Sequence, residues 1–100
     1  MDSEESREMI GVIKKDVPKD ALLTSMKPRA LALLTHRKGI FIDRFAKTKS
    51  TLNSIYKYDI NYFLLMREMP HPALDSIALM PDLSEQVWQN GDYALYRVKK

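Results

Sequence analysis

The chain contains no cysteine among its 100 residues. That excludes a disulfide framework and any zinc site built on thiolates, and it does not choose between the cytoplasm and an extracytoplasmic space. Long apolar runs are missing as well. The longest aliphatic stretch, Ala30 to Leu34, falls far short of the roughly 20 residues that span a bilayer. The opening Asp2-Ser3-Glu4-Glu5 is acidic, the reverse of a signal peptide's basic start. Glycine is scarce: only Gly11, Gly39 and Gly91 occur, and none follows the first apolar run, where a dinucleotide fingerprint or P-loop would have to lie. His36 and His71 stand far apart in the sequence, neither beside paired acids, and no Gly-x-Ser-x-Gly elbow is present. The sequence therefore offers no catalytic constellation, no cofactor motif and no metal-ligand set.

What is present describes one soluble domain spanning residues 1–100. With 45% hydrophobic and 29% charged residues, the composition is that of an ordinary globular protein. A chain of this length buries roughly two thirds of its unfolded surface and supports one core without staples. Asp2 with Glu5 three residues on has the form of a capping box. Met9, Ile10, Ile13 and Val17 then recur at helical spacing, which predicts an amphipathic helix over 3–15 ended by Pro18. Gly11 inside it lowers helix stability by about 1 kcal/mol unless it permits close packing on a sheet.

Ala21 to Thr24 is a short apolar run of the kind found in buried parallel strands. Ser25 is placed to cap the following helix, Arg29 to Thr35, with Pro28 tolerated in its first turn. Ile40-Phe41-Ile42 forms the second strand, and a third helix capped by Thr48 or Ser50 carries Leu52, Ile55 and Tyr56. Ile60 to Met66 is the most β-like run and the expected central strand. Pro70-His71-Pro72 breaks regular structure before one or two helical turns over 73–79. Asn90-Gly91, between Val87-Trp88 and Tyr93 to Val98, is the sequence signal for a hairpin with a type I′ turn. Strands alternating with helices, then a hairpin, predict a small three-layer Rossmann-like α/β domain with a mostly parallel sheet and a C-terminal antiparallel hairpin.

Charge is unevenly placed. Between Lys27 and Lys49 there are seven basic residues against one acid, Asp43, a local +6 in a chain whose total is +3. Such a segment suits phosphates, lipid headgroups or nucleic acid, although plain solvation of loops and helix faces is the better account of its Lys and Arg. Lys27, Arg37 and Lys38 are the expected contacts to an anion or membrane surface. Thr24, Ser25 and Lys27 also stand at the mouth of a helix, where an anion can bind. Glu68 beside Arg67 falls at the carboxyl end of the strongest strand, where ligands of α/β proteins bind, and a surface ion pair explains it as well. The aromatics near the central strand and in the hairpin are separated in sequence from the basic segment. Core packing explains them better than base stacking does, which argues against a nucleic-acid partner.

Taken in order, the segments "VPKDALLTSMKPRALALLTHRKGI", "YDINYFLLMREMP" and "LSEQVWQNGDYALYRV" together resemble the soluble C-terminal domain of polytopic membrane glycosyltransferases of bacteria and archaea, of the dolichyl-phosphate-mannose–protein mannosyltransferase type. The matching positions are Pro18, Asp20, Ala21, Leu33, Leu34, Thr35, Arg37, Tyr62, Asn90, Gly91, Asp92, Tyr96, Arg97 and Val98, with His36 where that pattern usually has Gly. The resemblance implies a C-terminal part excised from a larger membrane protein, in which Met1 need not be a native start. It implies an extracytoplasmic (periplasmic or cell-surface) accessory domain of an enzyme using a polyprenyl-phosphate-linked sugar. Such a domain is not catalytic by itself, and its partners are its own membrane-embedded transferase portion and anionic headgroups or polyprenyl phosphate. The alternative from the residues alone is a free-standing cytoplasmic α/β module for a nucleotide, nucleic acid or other anionic ligand.

Overall fold

A computed structural model describes residues 3–99. The elements run α1 (Glu4–Asp16), β1 (Leu22–Thr24), α2 (Pro28–Thr35), β2 (Lys38–Ile40), α3 (Thr48–Lys57), β3 (Tyr62–Met66), α4 (Pro72–Ala78), β4 (Ser84–Gln89) and β5 (Tyr93–Val98). Among the described residues no helix is long and apolar enough to cross a membrane.

α1 forms where the apolar spacing places it. Its described N-cap is Ser3, whose side chain accepts from the Ser6 amide, while Asp2 of the expected capping box lies outside the described residues. Glu4 and Glu5 in the first turn and Lys14 and Lys15 in the last complement the helix dipole. Gly11 is exposed and a Cβ there would meet open space, so close packing is not its role.

The five strands form one sheet in the order β2-β1-β3-β5-β4, with β3 central. Strand residues alternate between two cores, as the pleat requires. Leu23, Leu64, Met66 and Leu95 pack with Met9 and Ile13 of α1 and Leu31 of α2. Phe63 and Val98 pack on the other face with Ile55 of α3 and Leu74 and Ile77 of α4. The Phe63 and Tyr96 rings, opposite one another across β3 and β5, stack with centroids 5.1 Å apart. Helices thus cover both faces, and the three layers are present.

The mostly parallel sheet is not. β1 pairs parallel with β2 and β3, but β3–β5 and β5–β4 are antiparallel, so the alternating Rossmann-like pattern stops at β3. A crossover through α4 into β4 would have extended the parallel half had β4 docked on β3. Instead β5 takes that place. The reason is compositional: β5 buries Leu95 and Val98, whereas β4, Ser-Glu-Gln-Val-Trp-Gln, is mostly polar and suits the solvent edge. A bulge between Gln86 and Trp88 irregularises that edge, and Glu85 pairs with Arg97 across the hairpin.

The turn also differs from expectation. A type I′ turn needs positive φ at both central residues, but among the described residues only His36 and Asp59 have positive φ, and no glycine does. Asn90 works through its side chain instead. Its Oδ1 accepts from the Asp92 and Tyr93 amides at 3.0 and 2.9 Å, and its Nδ2 donates to the Glu5 carbonyl and the Glu8 carboxylate. The Asn side chain thus closes the loop and ties it to α1.

Candidate functional site

β2 and β3 lie on opposite sides of β1, so the carboxyl ends of β1 and β3 meet at the topological switch point where open α/β sheets bind ligands. A cleft of about 290 Å³ opens there, lined by Ser3, Ser6, Lys27, Glu68, Asp92 and Tyr93 with Met66 and Met69. Its hydroxyls bond one another. Ser3 Oγ donates to Ser6 Oγ at 2.9 Å, and Ser6 Oγ lies 2.7 Å from the Tyr93 hydroxyl. Glu68 faces this cleft, while Arg67 donates to the Gly91 carbonyl at 3.3 Å. The side chains at the mouth include two carboxylates, Glu68 and Asp92, against the single ammonium of Lys27.

Neither histidine reaches this cleft. His36 is the left-handed C-cap of α2, with φ 57°, the conformation a glycine adopts without strain. His71 is buried and caps α4. Its Nδ1 accepts from the Leu74 amide at 3.3 Å while Nε2 lies 3.1 Å from the Ile42 carbonyl. Among the described residues no three His, Asp or Glu side chains converge as a metal site requires.

The three expected anion contacts are not gathered in one place. Lys27 is exposed at the N-cap of α2, at the carboxyl end of the sheet. Lys38 is exposed at the amino end of the edge strand β2, opposite Leu22. Arg37 turns inward and is only 6% exposed. Its Nε donates to Val17 O, one Nη to Thr35 O and the other to Lys14 O, each at 2.9 Å. The cause lies in the sequence: a helical carbonyl normally bonds the amide four residues on, but the residue four beyond Lys14 is Pro18, which has none. The Arg37 guanidinium satisfies the carbonyl ends of α1 and α2 together, where a positive charge is favoured.

Ser25 also differs from its expected role. Its Oγ accepts from the Lys27 amide at 3.2 Å, in the turn before α2, and the N-cap position itself is Lys27, with no side-chain cap bond. Thr24 Oγ1 beside it is buried and has no hydrogen-bond partner among the described residues.

Phe41 and Phe45 were not among the residues sequence reasoning singled out. β2 ends at Ile40, one residue before Phe41. Ile40 and Ile42 belong to the α3–α4 core, so alternation sends Phe41 the other way, where it is 67% exposed. Phe45 is 82% exposed. The available signal was the interleaving itself, two phenylalanines among Arg44, Lys47 and Lys49 in a loop.

No protein-family model matches this sequence, and no curated protein matches it significantly. Among solved structures, the chain is similar to the C-terminal globular domain of oligosaccharyltransferase from Archaeoglobus fulgidus, with a TM-score of 0.66 and 9% identity over 99% of each chain. At that identity the likeness is one of fold alone.

Proposed function

We propose that this chain is an accessory domain of a membrane glycosyltransferase, held on the extracytoplasmic side beside its own membrane-embedded transferase portion and not catalytic by itself. One observation carries the reading: the full-length fold likeness to a globular domain of an oligosaccharyltransferase. The sequence resemblance to the soluble domain of membrane mannosyltransferases supports the same class on separate grounds. The finer assignments, a polyprenyl-phosphate-linked donor and the mannosyltransferase type, rest on that resemblance alone. The domain's part in the reaction is to shape the mouth of the membrane active site or to hold the acceptor.

The test is the gene and its product. Coding sequence continuing in frame upstream of Met1 into several apolar segments of about 20 residues is the expected result. An in-frame stop codon there, with no polytopic protein co-purifying with the tagged chain from native membranes, would overturn the reading.

A free-standing binding module has the switch-point cleft in its favour. Two carboxylates against one lysine make that cleft a poor seat for a phosphate, so the module reading suits a neutral or cationic ligand better than a nucleotide.

A further inference from the structure

We propose that the loop between β2 and α3 seats this domain on an anionic lipid surface. The rings of Phe41 and Phe45 enter the headgroup region, and Arg29, Arg44 and Lys47 hold the phosphates.

A single exposed apolar side chain needs no explanation. Two phenylalanine rings within five residues, both mostly solvated, presented by an ordered turn, do. Asp43 Oδ1 accepts from the Phe45 amide at 2.9 Å and its carbonyl from the Ala46 amide at 3.1 Å, so the tip is a closed turn. Between the rings, Ile42 is buried in the core, and its carbonyl lies 3.1 Å from His71 Nε2 at the start of α4. The loop is thus fixed at its base and holds Phe45 away from the core.

Each ring has a cation beside it. The Arg44 guanidinium lies 5.1 Å from the centroid of Phe45, which keeps charge and ring together. Phe41 borders an open, mostly apolar groove with Lys27, Pro28, Arg29 and Gly39 at the start of α2. α2 begins at this groove and α3 at the far end of the loop, with Lys27 and Lys47 as N-caps, no side-chain cap bond and no acid in either first turn. A lysine at the positive end of a helix is a like-charge placement, and an anionic surface reverses its sign. The segment's one acid, Asp43, already accepts from the Phe45 amide.

An aromatic body with cations at its rim is the arrangement that lies at a membrane interface. Nucleic acid would meet the same charge. Sheet-based stacking modules, however, offer their strand aromatics to bases, and here Phe63 and Tyr96 stack on each other. This inference shares with the proposed function only the presence of a membrane.

The experiment is sedimentation of the 100-residue chain with vesicles of phosphatidylcholine and phosphatidylglycerol in equal parts, against phosphatidylcholine alone. The expected result is partitioning to the anionic vesicles that weakens with salt. Phe41→Ser and Phe45→Ser each reduce it about tenfold, and Arg44→Glu with Lys47→Glu reduces it by about tenfold or more. Leu79→Ser, at the opposite end of α4 and 85% exposed, leaves it unchanged. All these residues are exposed, and thermal melts confirm that the variants fold. Failure to sediment, or equal sedimentation of wild type and both Phe variants, would sink the proposal. Tighter binding to a single-stranded oligonucleotide, lost in the Phe variants, would replace it with a nucleic-acid surface. The readout uses the chain alone, so its failure leaves the glycosyltransferase reading, tested on the gene and on co-purification, standing.

Discussion

Replacing Arg37 by methionine separates a structural guanidinium from a surface contact. Methionine matches the length of the stem and removes every donor. Three bonds of 2.9 Å disappear, to Val17 O, Thr35 O and Lys14 O. Hydrogen bonds to charged groups contribute about 1.5–3 kcal/mol each, but they are not additive, and removing the guanidinium also removes the cost of burying it. A net loss of about 3–5 kcal/mol is the reasoned magnitude. Against a total of about 5–15 kcal/mol for a small protein, that is a large fraction, equivalent to a Tm about 12–40 °C lower at about 4–8 °C per kcal/mol. Urea unfolding followed by far-UV circular dichroism and by Trp88 fluorescence measures it. Arg37→Lys belongs in the same series. An ammonium keeps the charge but lacks the planar fork that reaches carbonyls of two helices, so it restores less than half of the loss. A methionine variant within 1 kcal/mol of wild type that also loses vesicle binding would refute the reasoning and return Arg37 to the surface.

Three backbone predictions accompany it. Gly39→Ala destabilises by roughly 1–3 kcal/mol, because a Cβ there would stand 2.6 Å from the Pro28 carbonyl oxygen; an unchanged urea midpoint would show that α2 shifts freely. Gly91→Ala is neutral or stabilises by about 0.4–1 kcal/mol, since Gly91 does not have positive φ and its Cβ direction is open; a loss above 1 kcal/mol would reinstate the type I′ turn. His36→Gly stabilises by about 1 kcal/mol through relief of the left-handed φ of 57°, read as a higher thermal midpoint, and a lower one would mean the imidazole makes compensating contacts.

Much of the fold was legible because local pattern and burial agree. Met9, Ile13 and Val17 set α1, and the run ending at Met66 set the central strand. The hairpin's existence was legible from the β-formers on either side of its loop, but not the order in which its strands dock. Docking order compares two strands for one partner, and it follows from Leu95 and Val98 outweighing the polar face of β4. The Asn90-Gly91 signal misled for a related reason: the pair suits two turn chemistries, backbone φ at both residues or an Asn side chain that accepts from following amides. The nearby carbonyl of Glu5, some 85 residues away in sequence, favours the second.

The candidate surface was half legible, and the missing half follows one physical rule. A count of charge between Lys27 and Lys49 treats its cations as equivalent, yet a buried cation without a carboxylate persists only where several oxygens converge on it. For Arg37 those oxygens belong to residues 14, 17 and 35. Pro18 was visible as a helix breaker, but the carbonyl it orphans needed a donor from a turn that only the packing of α1 against α2 brings near. Once Arg37 is spent there, the surface charge available to a partner shifts toward the carboxyl edge of the sheet. Lys27 and Lys47 stand at that edge on helix N-termini, with Phe41 and Phe45 between them in sequence. The same packing that consumes Arg37 leaves Arg29 and Arg44 beside the two exposed rings and Lys38 at the other end of β2, which is why the loop, and not the basic run as a whole, is the element to mutate.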